Sequence, residues 1–382
     1  MPQAAHDTVI RTTAVTSKRD RQHFLAVPER ILGTDPAWRA PLRIERRMHL
    51  SPKQNPAFEH LEFASWLAWR GTDCVGRISA QIDTLRKPIH GDDVGYFGML
   101  DAEDDAAVFA ALLDAAEAWL GERGVTQVHG PFNLTINEEC GLLVDGFDTP
   151  PMVMMGHARP YYAERLTELG YGKAIDLHAY WISLDFAHPP VMSRLLERYA
   201  PRVRVRPIDG KRFMEELDTI RDLFNDAWAN NWGFVPLTRE EFRDMGKTLK
   251  VLLPDELVQI AEVDGEPAAF IVGLPNINEA ARDLRGRLSP VGLAKLLWRL
   301  KVRFPETSRV PLMGVRQQYQ SGPLGAALAY SVIGALQTEL LACGASGCEL
   351  SWILETNKGM KNIIESIGGR VYKTYRIYDK PI

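Results

Sequence analysis

The sequence predicts an α/β protein of two related halves, each a mixed-sheet α/β domain. Three observations carry that expectation. A β-hairpin pattern occurs once in each half, over residues 64–80 and 257–274. Each hairpin is followed further along by one long helix with an apolar face. Each half then closes on a helix, a glycine and a strand, as YYAERLTELGYGKAIDLHAYWISL (161–184) and MKNIIESIGGRVYKTYRIY (360–378). Chance recurrence of common α/β units is the competing explanation, but duplication of one domain accounts for the shared order more simply. The halves are placed at 1–185 and 201–382, with 186–200 as a linker entered through DFAHPP.

The elements follow in order. The first hairpin turns at Arg70-Gly71-Thr72-Asp73 and the second at Asp264-Gly265, a dipeptide that accepts the positive φ of a two-residue turn. A helix over 105–122 spaces Val108, Leu112, Ala116 and Trp119 along one face, with Asp104 or Asp105 as N-cap. The matching helix of the second half starts near Gly325 and runs to about Ala342. Gly170 and Gly368 stand where a helix must end on a left-handed residue before a strand. Further strands are expected at 125–128, near Arg202, from Val310, and at 348–354.

Composition narrows the function. Of 382 residues, 46% are hydrophobic and 25% charged, which excludes a disordered or fibrous chain. A net charge of −4 argues against a nucleic-acid coat protein, and no helix-turn-helix, finger or RNP pattern occurs. Four cysteines without a C-x-x-C pair form neither a disulfide framework nor a zinc finger, and no metal is expected. The start, MPQAAHDTVIRTTAV, lacks an export pattern. The longest nearly apolar run, 325–336, is too short to span a bilayer. A cytoplasmic location is expected.

Two segments carry candidate chemistry. In VPLMGVRQQYQSGPLGAALAYSVIGALQTEL (310–340) a strand, a polar glycine-bearing loop and a helix follow one another. The N–H groups of such a helix start converge on one point, which suits a pyrophosphate. Gly322 and Gly325 permit close backbone approach, Arg316 and Gln318 add donors, and Pro323 removes one. A structural helix cap explains the same pattern. In the first half, HGPFNLTINEECGLLVDGF (129–147) gathers Asn133, Asn137, Glu138, Glu139 and Asp145 in a loop longer than a connection requires. A surface loop satisfying its own turns is the alternative there.

The spacing Gln318-x-x-x-Gly322-x-x-Gly325 resembles, more loosely spaced, the acyl-CoA pyrophosphate loop (Gln/Arg-x-x-Gly-x-Gly/Ala) of the GNAT acyltransferase superfamily. The order after it is also that of the superfamily: a helix, the strand CELSWIL, then Glu355-Thr356-Asn357 and another helix. The first-half loop resembles the pattern GP-x-N-x-x-x-N-x-x-x-G-x-L-x-x-G-F, followed by Pro150-Pro151 and Tyr161-Tyr162, of a bacterial GNAT-like family. The bacterial ceramide synthases are its best-understood branch. The resemblance implies tandem GNAT-like acyltransferase domains, with acyl-CoA as co-substrate and no tightly bound cofactor. It implies transfer of a fatty acyl group to the amine of a sphingoid base. The acyl-CoA side would be Gly314, Val315, Arg316, Gln318, Gly322, Gly325 and Asn357, and the acceptor side Asn133, Asn137, Asp145 and Tyr162.

The chemistry asked of such a site is direct aminolysis. All nine histidines lie in the first half or its linker. The base is therefore a carboxylate, Glu355 or Glu138, with its pKa raised by burial, or a first-half histidine such as His129. Backbone N–H groups near Gly314 and Val315 are candidate oxyanion donors, and Tyr319 or a water can protonate the leaving thiolate. Cys343 and Cys348 read as core residues.

A last segment, 281–304, carries Arg282, Arg285, Arg287, Lys295, Arg299, Lys301 and Arg303 against the single acid Asp283, interleaved with Leu293, Leu296, Leu297, Trp298 and Leu300. Between Arg285 and Arg303 it reads as a basic amphipathic helix suited to a lipid substrate or to the anionic inner face of the cytoplasmic membrane. Snorkelling basic chains over an ordinary core fit the same pattern. A shorter basic run, 39–47, extends it. Two other functions fit the sequence: N-acetyl transfer from acetyl-CoA to a small polar amine, and a non-catalytic double-GNAT scaffold binding lipid or protein.

Overall fold

A computed structural model describes residues 9–382. Its strands are β1 (Ile10–Ala14), β2 (Leu61–Arg70), β3 (Asp73–Asp83), β4 (Val94–Ala102), β5 (Gln127–Gly130), β6 (Leu142–Asp145), β7 (Gly172–Ser183), β8 (Val203–Pro207), β9 (Val258–Val263), β10 (Glu266–Pro275), β11 (Thr307–Val315), β12 (Gly347–Leu354) and β13 (Arg370–Pro381). The chain folds into two compact units. Of the described residues, the first comprises 9–177 with Arg285–Arg287 and Lys373–Ile382, and the second His178–Leu284 with Leu288–Tyr372.

In the first unit the strands run β1-β2-β3-β4-β5-β13, with β6 also paired to β13. The β2–β3 hairpin turns where the sequence places it, with Gly71 at φ 60°. The helix Ala106–Gly121 is capped by Asp105, whose Oδ1 accepts the Ala107 N–H at 2.8 Å. Its buried face is Val108, Leu112, Ala116 and Leu120. The expected Trp119 is half-buried, edge-on to Trp66 at 6.3 Å between ring centroids, and the Arg123 guanidinium lies 3.9 Å from its ring.

In the second unit the order is β7-β12-β11-β10-β9-β8. Asp264 and Gly265 take φ 53° and 93°, the turn expected of that dipeptide. The helix Pro323–Ala342 packs Leu328, Val332 and Leu336 with Ala261, Ala269, Ile271, Val310 and Cys348 of the sheet in one cluster. Side chains alternate along a strand, so Phe270 and Gly314 face the other way, where Gly314 closely approaches Ala227 of the helix Phe213–Trp228. Gly170 and Gly368 end their helices at φ 85° and 95°.

Several expectations need correction. At 20 residues the helix Pro323–Ala342 outlasts the expected apolar run and has the length and composition of a bilayer-crossing helix, but it packs into the core of the second unit. Gln337, which closes the apolar run in the sequence, is itself buried, and its amide donates to Leu184 O and Phe186 O at 2.8 and 3.0 Å. Residues 186–200 include the helix Pro190–Tyr199, with Met192 fully buried. The basic segment is not one continuous helix. Arg285 and Gly286 take positive φ, and the helix Pro290–Trp298 starts at a proline capped by Ser289 Oγ, which accepts the Gly292 N–H at 3.0 Å. The helices Lys18–Leu32 and Arg239–Leu252, each opened by a capping box, went unread.

Candidate functional site

The second unit contains a cleft of about 600 Å³ that begins where two parallel strands separate. β11 and β12 pair from Thr307 opposite Gly347 to Val310 opposite Leu350. Beyond that pair both strands continue, and Pro311, Met313, Gly314 and Val315 face Ser351, Trp352, Ile353 and Leu354 across the cleft. β11 keeps its other edge on β10, with Gly314 opposite Phe270 and Val315 opposite Ala269.

Which backbone groups face the gap follows from ladder parity. Arg316 N donates to Ala268 O at 2.8 Å, which makes residues 316, 314 and 312 the hydrogen-bonded positions against β10. The peptide groups of Met313 and Val315 then point away from β10. Two bonds agree. Trp228 Nε1 donates to Met313 O at 3.0 Å and Gln320 Nε2 to Val315 O at 2.8 Å. The N–H groups turned toward the gap are therefore those of Met313 and Val315, whereas Gly314 serves the β10 ladder. The missing Gly314 side chain has a packing role, since a Cβ there would lie 2.8 Å from Ala227 Cβ and from the Phe270 ring.

The following loop is a helical turn, Gln317–Gln320, held from the side by the end of the helix Phe213–Trp228. Gln317 N donates to Asp226 Oδ2 at 2.8 Å and Gln317 Nε2 to Asp226 O at 2.7 Å. Gly322, at φ 146°, opens the helix Pro323–Ala342 on the cleft wall. A Cβ at Gly325 would lie 2.1 Å from Tyr319 O, so this glycine lets the turn rest directly on the helix.

The structure brings Gly314, Val315, Gly322, Gly325 and Asn357 together around one cleft. Asn357 Oδ1 also accepts the Met360 N–H at 3.1 Å as a helix cap. The other candidates of this unit lie outside the wall. Arg316 Nε donates to Pro267 O at 2.9 Å, Gln318 is exposed, and Tyr319 packs on the apolar core. Glu355 is half-buried just past β12, and its carbonyl accepts from Lys361 Nζ. The wall is mostly apolar, with Ile182, Leu184, Ile333, Leu340, Ile363 and Ile367 among its members.

The first unit repeats the strand relation with a different outcome. β4 and β5 pair in parallel from Val94 to Tyr96, after which β4 leaves β5 and continues past Met99 at φ 46°, still paired with β3 on its other edge. Here the chain fills its own gap. Phe132 N donates to Phe97 O at 2.8 Å, Gln81 Nε2 to Phe132 O at 2.6 Å, and Met99 N to Asn133 Oδ1 at 2.7 Å. A Cβ at Gly98 would lie 1.7 Å from Phe132 O.

The first-half candidates lie in and around this plug. Asn133 Nδ2 donates to Glu139 Oε1 at 2.9 Å, and Arg46 Nη2 donates to Glu139 Oε2 at 2.8 Å. Burial opposes the Glu139 charge, but Arg46 outweighs it and holds the pKa below the ordinary value. Glu138 is hydrogen-bonded to His49 Nε2. Burial works against the imidazolium, yet the Glu138 carboxylate prevails and raises the His49 pKa. Asn137 N donates to Thr135 Oγ1 at 3.3 Å, and Asp145 is exposed at the end of β6. Tyr162 is a core residue, 1% exposed, whose hydroxyl accepts the Ala102 N–H at 3.1 Å. His129 is also buried, and burial together with the Arg86 charge pushes its pKa down to about 4.

Arg46 and His49, which meet Glu139 and Glu138, are not among the residues the sequence singles out as a site; Arg46 falls in the basic run 39–47. In the fold Arg43 pairs with Glu29 at the surface and Arg39 Nη1 donates to Pro36 O at 2.7 Å, while Ile44 and Arg47 of the same run are exposed. The available signal was the i, i+3 spacing of Arg46 and His49 against adjacent acids at 138 and 139.

Known proteins resemble the whole chain. It is 50% identical over 367 residues to protein YghO of Escherichia coli K12, covering 96% of this chain and 94% of that one. It is 46% identical over 384 residues to the bacterial ceramide synthase of Caulobacter vibrioides, covering both chains fully. A solved tandem GNAT protein from the clavulanic acid biosynthesis pathway matches 98% of each chain at TM-score 0.56 and 11% identity, a likeness of fold. No family model matches the chain. With two parallel-strand gaps in one chain and these relatives over its full length, the chain belongs to the bacterial ceramide synthase family, has the fold of tandem GNAT proteins and is an acyltransferase.

Proposed function

We propose that the chain transfers a fatty acyl group from acyl-CoA to the amine of a sphingoid base, forming a ceramide-type amide. One observation carries the reading: the gap between β11 and β12 is a cleft of about 600 Å³, whereas Asn133 and Phe132 fill the gap of the first unit. A cleft of that volume with a mostly apolar wall and few polar groups suits a small organic ligand with a long apolar part. The second half, 201–382, is accordingly the acyl-CoA half, and the first half, 1–185, is assigned to the acceptor. The sphingoid acceptor is taken from the name of the Caulobacter relative.

In this reading the pantetheine arm lies along β11 and receives hydrogen bonds from the Met313 and Val315 N–H groups. The same donors meet the oxyanion that forms when the amine attacks the thioester carbonyl. The pyrophosphate lies at Gly322, against the N–H groups that open the helix Pro323–Ala342. Bond-making is direct, because Cys348, the thiol in the wall, is pushed by burial to about 12 and stays protonated at neutral pH.

Both substrates partition into membranes, so the work is placed at the inner face of the cytoplasmic membrane. Support comes from the stretch after Ser289. Val291, Trp298 and Val302 are 78%, 52% and 71% exposed, beside exposed Lys301 and Arg303. The deciding experiment is thiol release with a long-chain acyl-CoA and sphinganine, followed by isolation of the amide. Long-chain turnover with amide formation is expected. Equal turnover of acetyl-CoA on a small polar amine would replace this reading.

A further inference from the structure

Among the described residues, the cleft wall carries no carboxylate, imidazole or amine; Cys348 is its one ionisable side chain. Aminolysis nevertheless needs somewhere for the ammonium proton to go. One wall residue leads to a proton acceptor. Ser351 Oγ donates to Glu349 Oε1 and accepts from Arg309 Nε at 2.8 Å. Arg309 Nη2 donates to Ser351 O at 3.2 Å, and the Tyr372 hydroxyl donates to Glu349 Oε2.

The arrangement follows from strand geometry. Glu349 and Ser351 are two apart on β12 and share one face, and Arg309 is the ladder partner of Glu349 on β11. All three are buried, at 0%, 2% and 3% exposure for Glu349, Ser351 and Arg309. A buried ion pair is weak as a stabilising device, since hydrophobic replacements of similar volume are often neutral or better. This one ends at the point where β11 and β12 separate. A serine oxygen has two lone pairs. Arg309 takes one, and the other remains for a donor in the cleft.

We propose that Ser351 and Glu349 form the proton relay of the N-acylation, with Ser351 as the catalytic residue and Glu349 acting through it. This rests on the acyl-CoA-to-amine reading above. An N–H bond of the acceptor ammonium breaks and an O–H bond forms on Ser351, whose own proton passes to Glu349, making it a carboxylic acid. The freed lone pair forms the C–N bond at the thioester carbon. Collapse of the oxyanion breaks the C–S bond, and the second nitrogen-borne proton leaves with the sulfur as CoA thiol. Glu349 returns its proton through Ser351 to water once product has left. Arg309 and Tyr372 are positioning residues whose hydrogen bonds hold Ser351 and the Glu349 carboxylate in place.

The test compares two long-chain acceptors: sphinganine, an ammonium at neutral pH, and an O-alkylhydroxylamine, already a free base there. Ser351→Ala is expected to lower kcat about 10²-fold with sphinganine. It should leave the alkoxyamine rate and CoA affinity near those of the parent, and Ser351→Thr should restore turnover. Equal losses on both acceptors, or no loss on sphinganine, would overturn the relay. Should Ser351→Ala not fold, Tyr372→Phe serves. That variant removes one hydrogen bond from Glu349 Oε2, so the sphinganine rate should fall about tenfold while the alkoxyamine rate stays near that of the parent. An unchanged sphinganine rate, or equal losses on both acceptors, overturns the relay equally. Failure of the parent protein to release thiol with either acceptor is a separate result, which removes the proposed function and the relay with it.

Discussion

Asn133 Oδ1 accepts the Met99 amide proton at 2.7 Å, and with that bond the first unit satisfies from its own chain the gap that the second keeps as a cleft. Met99 has φ 46°, and a backbone N–H turned out of a ladder by such a bulge needs an acceptor. In the second unit the neighbouring carbonyls are met by Trp228 and Gln320, and the Met313 and Val315 N–H groups face the cleft. One strand relation has thus become a plug in one unit and an open cleft in the other.

Asn133→Ala leaves the Met99 N–H without its acceptor and Glu139 without one donor. It should cost about 1–3 kcal/mol in chemical denaturation. CoA affinity by calorimetry should stay within about twofold, because the thioester is assigned to the second unit. A tenfold loss of CoA binding without loss of stability would move the cofactor to the first unit.

Gly325 and Gly322 separate packing from binding. A Cβ at 325 would lie 2.1 Å from Tyr319 O, so Gly325→Val must displace the 316–322 turn, and both CoA binding and some stability should fall. No atom lies within 4 Å of a Cβ at Gly322, where the cost is conformational, at φ 146°. Gly322→Val should weaken CoA at least tenfold with a smaller fall in Tm. Unchanged CoA affinity in both variants would remove the pyrophosphate from this loop.

The sequence made legible whatever depends on neighbours in the chain. The Asp264-Gly265 turn, the helix ends at Gly170 and Gly368 and the strand-loop-helix of 310–340 are local signals, and the wall residues Val315, Gly322, Gly325 and Asn357 come with them. What depends on register was hidden. Arg309 meets Ser351 across 42 residues of sequence because β11 and β12 pair in one register, and Arg46 meets Glu139 across 93. Glu355 and Glu138 drew attention as carboxylates, while Glu349 was passed over inside an apolar strand.

The buried histidines give a pH signature. The His129 pKa is pushed from 6.5 to about 4 by burial and by Arg86. Between those values the unfolded chain binds more protons than the native one, so this contribution to stability falls as pH drops from about 6.5 toward 4. At pH 4.5 the loss relative to pH 7 is on the order of 2 kcal/mol. His49 has the opposite sign: its raised pKa stabilises below 6.5, and that contribution fades as pH rises through the folded value. His129→Gln should therefore lose about 2 kcal/mol less than the parent between pH 7 and 4.5 by urea denaturation. Identical losses would contradict the assignment.

Membrane contact is tested best with charges that have no internal duty. Arg299 donates to Ala280 O at 2.6 Å and pairs with Asp283, so it should be left in place. Lys301→Glu with Arg303→Glu reverses two exposed charges, each contributing about 1 kcal/mol at an anionic surface. Sedimentation with phosphatidylglycerol vesicles should fall at least tenfold, along with long-chain turnover, while a short-chain soluble acceptor is still acylated. Equal vesicle binding by variant and parent would leave the stretch as an ordinary surface helix.

The central claim is that the β11–β12 gap of the second unit holds the acyl-CoA. A crystal structure with a non-hydrolysable acyl-CoA thioether tests it most directly. The account predicts density for the pantetheine arm along β11, hydrogen-bonded to the Met313 and Val315 N–H groups, with the pyrophosphate at Gly322 and the acyl chain in the apolar cleft. Density at the Asn133 plug of the first unit, with the β11–β12 cleft unchanged, would contradict it.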